Sequence, residues 1–280
     1  MAVNGIKASG YYYNPIIISS PGYSNLNESH ICKSKGISQN LFYTNGLCDS
    51  LIFRNVKFTD LKDSTTAINI SNLSNGQDKI LLENISVNSH KPNPNFDIVL
   101  YGSMMNIINL DSISIKFTKI KFYEDILVTN AKVIFSVYNL FDQNKNTVFN
   151  NTDISFFYNA QFKGLNDDTQ WKGIQINGGS IDLSGASFSN SETALALNGL
   201  NGINIRNCTF TGNIQDILIN GTSSSDVLRT INHSTFQLPS ASQYSSISIN
   251  NVYGGLDITK NTFKDIRACG INLFNCTSVN

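Results

Sequence analysis

Charge is scarce in this 280-residue chain: Asp, Glu, Lys and Arg make up 14%, and twenty basic residues cancel twenty acidic ones. No Lys/Arg block or basic stripe occurs, which argues against a partner held by charge, nucleic acid or anionic membrane alike. Long apolar runs are missing too. The longest, such as Ile16 to Ile18 and Ile80 to Leu82, fall far short of the roughly 18 residues of a membrane-spanning helix, so no membrane insertion is expected. His30, His90 and His233 are too scattered for a metal site or a Ser-His-Asp arrangement. Cys32, Cys48, Cys208, Cys269 and Cys276 contain no CxxC and no zinc-like Cys/His grouping. The spacing is compatible with disulfides Cys32–Cys48 and Cys269–Cys276, and the odd count leaves a thiol over. The opening MAVNGIKASGYYYN has neither a charged n-region nor an apolar h-region, so no secretory signal is read in it.

Apolar residues, by contrast, reach 41%, and Asn, Ser and Thr take the place of surface charge. The apolar residues recur in register. LIFRNVKF (51–58), LLENISV (81–87), IKFTKIKF (115–122), SFFYNAQF (155–162), IDLSGASF (181–188), INIRNCTF (203–210) and LDITKNTF (256–263) share an apolar-x-apolar-x-turn-small-x-Phe pattern, with RTINHSTF (229–236) a weaker member. Phe162, Phe188, Phe210, Phe236 and Phe263 follow one another every 22–27 residues, the period of a solenoid coil. A further alternating segment follows each Phe: Ile68/Ile70, Ile98/Leu100, Ile174/Ile176, Leu195/Leu197, Ile217/Ile219, Ile247/Ile249 and Ile271/Leu273.

Sustained 3.6-residue periodicity is absent, while alternation of period two sends every second side chain inward. The expected fold is therefore all-β: a single-stranded parallel β-helix with three short strands per coil and about 22–30 residues per coil. Phe58, Phe122, Phe162, Phe188, Phe210, Phe236 and Phe263 are expected to form one core stack. Asn55, Asn84, Asn159, Gly185 and Asn207 share the turn position between the first two strands, where a left-handed backbone is needed and Asn or Gly adopts it at low cost. Stacked asparagines there are expected to bond along the ladder. Residues 1–50 read as an N-terminal cap with irregular first rungs, and 51–280 as the β-helix. GINLFNCTSVN ends directly after a core strand, so neighbouring β-helix segments or further copies of the chain are expected on that end.

Runs such as GINIRNCTFTGN (202–213) resemble the right-handed β-helix repeats of the pectate-lyase-like superfamily, over about residues 50–276. That resemblance implies a right-handed coil. It does not fix function, because the superfamily holds polysaccharide lyases and hydrolases, phage tailspikes, bacterial adhesins and protist surface proteins. Its enzymes imply carboxylates clustered on an outward strand face, sometimes holding calcium, with an Arg or Lys nearby.

Outward positions of the first strand read as Phe156, Asp182, Asn204, Thr230 and Asp257; Asp182 and Asp257 would lie about 14 Å apart at the strand spacing. Glycosidase carboxyls sit roughly 5–10 Å apart. The third strand offers no outward acid. The densest acidic group follows the Phe, where Asp167, Asp168, Glu192 and Asp216 fall in successive coils beside Lys163, Lys172 and Trp171, within expected calcium-binding or acid/base reach. A solvated loop edge accounts for the same residues. Trp171 and the Tyr11–Tyr12–Tyr13 cluster are candidate glycan contacts, although aromatics also cap open cores. Cys208, at a small inward position, reads as a core thiol. No metal ligands are assigned beyond the calcium option.

The functional expectation is a non-catalytic structural or adhesive β-helix module of an extracellular, cell or virion surface, associating with itself or with glycans. The alternative is a polysaccharide lyase or glycoside hydrolase working through Asp167, Asp168 and Glu192.

Overall fold

The computed structural model of the chain describes residues 114–280 apart from 157–158, 167–168, 223–228, 240–242 and 267; before residue 114 it describes the strands named below and the side chains of Phe53, Ile68, Leu82 and Ile98. Strands and turns make up the described residues, with no helix among them. Parallel pairing rules throughout, as a β-helix requires, and the stack divides into two compact units, Met1–Ile134 and Phe135–Asn280.

In the first unit, Ala2–Asn4, Tyr23–Asn27, Ser50–Arg54, Lys79–Ser89 and Met105–Asp111 pair in succession. A second column holds Ile16–Ile18, Asn40–Asn45, Thr66–Ser71, Ile98–Tyr101 and the start of Ser114–Thr129. Ile31–Cys32 pairs with Lys57–Leu61, which in turn pairs with the end of Lys79–Ser89.

Here the observed register corrects one assignment. Ile98 stands opposite Ile115 and Leu100 opposite Phe117, while Phe122 stands opposite Met105, which faces Ile80. Phe122 therefore belongs to the Leu51–Ile80–Met105 column rather than to the Phe column. It is buried, with its ring edge-on to Phe117 at 5.4 Å. Alternating strands on different sides of a coil look alike in sequence, so the IKFTKIKF pattern could not distinguish them.

The second unit is regular. Its first-strand column runs through Thr147–Phe156, Ile174–Ser184, Gly202–Arg206, Arg229–Asn232 and the later part of Ile247–Thr259. The Phe column runs through Gln161–Gly164, Ser187–Ser189, Thr209–Thr211, Thr235–Gln237 and Thr262–Lys264. The third column stacks Ile174, Leu195, Ile217, Ile247 and Ile271. Inside the Phe column, Phe162, Phe188, Phe210, Phe236 and Phe263 lie face to face, with successive ring centroids 4.6, 5.1, 5.0 and 5.1 Å apart. Each ring buried in such a column contributes roughly 1.5–3 kcal/mol. One inward site of the first-strand column carries a cation: Arg229, opposite Ile203, is buried. That substitution is why the RTINHSTF repeat reads weakly.

Sharp corners separate the strands. Asn159, Gly185, Asn207, His233 and Lys260 all have positive φ, from 49° to 69°, at the bend before the Phe strand. Asn151, Gly178, Gly199, Gly221, Asn251 and Asn275 form a second such column, with φ of 45° to 71°. Asn55 and the side chains of Asn84 and Phe58 lie outside the described residues.

The amide ladder stands next to this second corner, not at the first one where the sequence pattern placed it. Asn177 Nδ2 donates to Asn150 Oδ1 at 2.9 Å, Asn198 to Asn177 at 2.8 Å, Asn220 to Asn198 at 2.9 Å and Asn250 to Asn220 at 2.9 Å. These asparagines end the third strand, where side chains point along the stack. Asn159 and Asn207, at the first corner, are exposed.

Candidate functional site

Chemistry-bearing side chains gather on the outward face of the first-strand column in the second unit. Ile154 pairs with Ile181, so Ser155, not Phe156, stands opposite Asp182, and Asp153 stands opposite Ser180. The sequence alignment slipped here by one residue, because segment 154–162 carries one more residue between its inward Ile and its Phe than segment 181–188 does. The correct register brings in a carboxylate that the pattern missed. Asp153 and Asp182 are exposed diagonal neighbours, one rung and two residues apart, hence about 8 Å between Cα atoms.

The face is bonded to itself. Ser180 Oγ donates to Asp153 at 2.6 Å, Asn204 Nδ2 donates to Asp182 at 2.8 Å, and Thr230 Oγ1 donates to Asn204 Oδ1 at 3.0 Å. Arg206 lies 3.6 Å from Asp182, both side chains about half exposed, a setting in which an ion pair contributes little. Asn280 donates to Asp257 at 3.0 Å. Chemically the face offers two neighbouring carboxylates, with a guanidinium beside one of them. It also offers a flat lattice of donors and acceptors.

Of the acidic group after the Phe, only Glu192 and Asp216 fall among the described residues. Asp167 and Asp168 lie outside the described residues. Glu192 is exposed, whereas Asp216 is fully buried, so these two carboxylates end on opposite sides of the coil wall. Asp216 accepts hydrogen bonds from Asn213 Nδ2 at 2.9 Å and from the Ser246 hydroxyl. Burial pushes its carboxyl up to about 6, against the lowering effect of Ser246 and then Asn213.

Trp171 is interior, 1% exposed, stacked on Phe141 at 4.6 Å and donating from Nε1 to the Ser189 carbonyl at 2.9 Å. Its ring packs in the core and presents no face to a ligand. Lys172 reaches Asn146 at 3.2 Å. Cys208 is a buried free thiol pushed up to about 11, chiefly by desolvation. Cys269 and Cys276 are also free, which removes the disulfide between them. Cys276 Sγ instead lies 3.3 Å from the Ile249 carbonyl and 3.2 Å from that of Phe274, two acceptors within reach of its single S–H. Tyr11, Tyr12 and Tyr13, and the side chains of Cys32 and Cys48, lie outside the described residues. Among the described residues no three His, Cys, Asp or Glu side chains are grouped to hold a metal ion.

Compared with known proteins, the chain matches no family model and no curated protein. Among solved structures it is similar to the Azotobacter vinelandii mannuronan C-5 epimerase AlgE6 A-module, at 13% identity over 99% of this chain and 90% of that one, with a TM-score of 0.24. So low a score carries no argument about chemistry. The class of protein, a parallel β-helix, rests on the strand pairing alone.

Proposed function

We propose that the chain is a non-catalytic surface module of the pectate-lyase-like β-helices, an extracellular or virion-surface element that binds glycan on its first-strand face and packs against further β-helix. The observation that carries this reading is the self-bonded polar face: Asp182, Asn204 and Thr230 form a continuous ladder across three rungs. Side chains held flat in this way present a regular lattice to an extended polymer. Asp153, Asp182, Arg206 and Asp257 sit among its neutral Ser, Asn and Thr groups, so recognition would combine hydrogen bonds with a salt-dependent charge contribution. Association with further β-helix would use Leu273 and Phe274, which are 48% and 64% exposed.

The alternative, a polysaccharide lyase or glycoside hydrolase, gains support from the diagonal pair Asp153 and Asp182 with Arg206, and Asp167, Asp168 and Glu192 remain its loop-edge candidates with or without calcium. Incubation with neutral and acidic glycans, read by binding and by product release, separates the two. Binding without turnover, weakened in Asn204→Ala, supports the module. Turnover that disappears in Asp153→Asn or Asp182→Asn establishes the enzyme. Sedimentation at rising concentration tests the packing: wild type should associate and Phe274→Asp should not, and a concentration-independent monomer discards that part.

A further inference from the structure

A polar cluster with no part in the outward face crosses three rungs inside the coil wall. Ser191, Asn213, Asp216 and Ser246 are each fully buried. Asn213 Oδ1 accepts from the Ser191 amide at 2.9 Å and from its hydroxyl at 2.8 Å, while its Nδ2 donates to Asp216 and to the Phe188 carbonyl. Ser246 closes the other end: its hydroxyl donates to Asp216, and its carbonyl accepts from the amides of Asp216 at 3.1 Å and Ile217 at 2.9 Å. Ser191 bridges to Trp171, the one tryptophan in the chain. The amide of Ser246 donates to Cys269 on the next rung.

We propose that these four residues form a proton-operated clasp, which ties the rungs at Ser191, Asp216 and Ser246 together when Asp216 is neutral and loosens them when it ionises. The corner is fully buried, and an ionised carboxylate there is desolvated and held by two side-chain donors. Protonated, it can donate to the Ser246 hydroxyl, which turns to accept, while Asn213 still donates to the other oxygen. Among the described residues, the titratable side chains adjoining the cluster are Glu192 on the rung below, Tyr244 on the rung above and Cys269 one rung further. All three are exposed, and none of them shifts the Asp216 carboxyl. No cation among the described residues bonds to Asp216 to offset its charge. Its carboxyl is raised from 3.8 to about 6 by burial. The folded chain therefore takes up a proton that the unfolded chain does not. The added stability is complete below about pH 4 and is lost as pH rises through about 6.

Amide hydrogen exchange from pH 7.5 to 4.5, corrected for the intrinsic rate, tests the clasp. In the wild type, protection at Asp216, Ile217 and Ser246 should rise about thirtyfold between pH 7.5 and pH 4.5, with Trp171 fluorescence changing over the same range. Asp216→Asn, a permanently neutral mimic, should show protection that no longer depends on pH. Should that variant not fold, Ser246→Ala gives a second reading: losing a donor to the carboxylate moves the wild-type midpoint to higher pH. Protection flat across the range in the wild type, an unchanged profile in Asp216→Asn, or an unmoved midpoint in Ser246→Ala each overturns the proposal.

Discussion

The carbonyl oxygen of Thr193 lies 1.5 Å from the point where a Cβ on Gly173 would stand. Gly173 has φ of 95° and leads directly into the strand Ile174–Ser184, so its backbone passes the next rung at a distance only glycine allows. Gly173→Ala must shift a backbone and also strain φ, and is expected to cost about 3 kcal/mol or more. Gly255 supplies the control, since a Cβ there meets nothing within 4 Å; Gly255→Ala should stay within about 0.5 kcal/mol. Urea midpoints of the two variants check both values. Equal midpoints would show that the rungs slide apart more easily than the close approach implies.

Asn198 stands at the centre of the amide ladder, donating to Asn177 and accepting from Asn220. Asn198→Leu removes both bonds and leaves two half-buried amide groups short of a partner, at an expected cost of about 1–3 kcal/mol. Asn272, on the outer face of the last third-strand rung, is exposed, and Asn272→Ala should be nearly silent. Because ladder members share partners, Asn198→Leu and Asn220→Leu should not add. The double mutant, measured by denaturant titration, should lose less than the sum of the singles.

The Phe column and third-strand register were legible in the sequence, because one large aromatic recurs at nearly constant spacing and Ile/Leu pairs mark the following strand. What misled was local. Phe122 carries the same alternation as the true column members and differs only in which side of the coil it lies on. Ser155 and Phe156 exchange roles through a single extra residue before Phe162. The ladder asparagines Asn177, Asn198 and Asn220 each precede a glycine and so read as ordinary turn dipeptides. Only the stacked backbone shows that their side chains line up. Asp216 precedes the inward Ile217 and should by alternation face outward; the corner breaks the alternation and turns it in. Asp153 was hidden by the slipped register, and with it its proximity to Asp182 on the outward face.

Phe210 and Phe263 belong to one column but differ in surroundings. Phe210 is buried between Phe188 and Phe236, whereas Phe263 has a ring neighbour in Phe236 and is only half-buried. Phe210→Ala should therefore cost about 3–5 kcal/mol, and Phe263→Ala less than half of that. Thermal melts of the two variants at one pH and one protein concentration give the ratio. Similar losses would mean that the last rung is covered in solution, as packing against further β-helix requires.

Asn139 stands opposite Phe162, in the position a phenylalanine would take to extend the column, and it is 0% exposed with neither amide atom bonded among the described residues. A buried carboxamide without partners costs about 1–3 kcal/mol relative to an apolar group of similar shape. Asn139→Leu adds apolar contact with Phe162 and removes that cost, so it should raise the urea midpoint, unlike almost every other interior substitution in this chain. Asn139→Asp is the opposite test: a charge in the same dry site should lower stability steeply above the pH at which it ionises, and regain it in acid as the carboxyl takes up a proton. If Asn139→Leu destabilises as much as Asn139→Asp, the carboxamide is satisfied in solution and the site is polar by design.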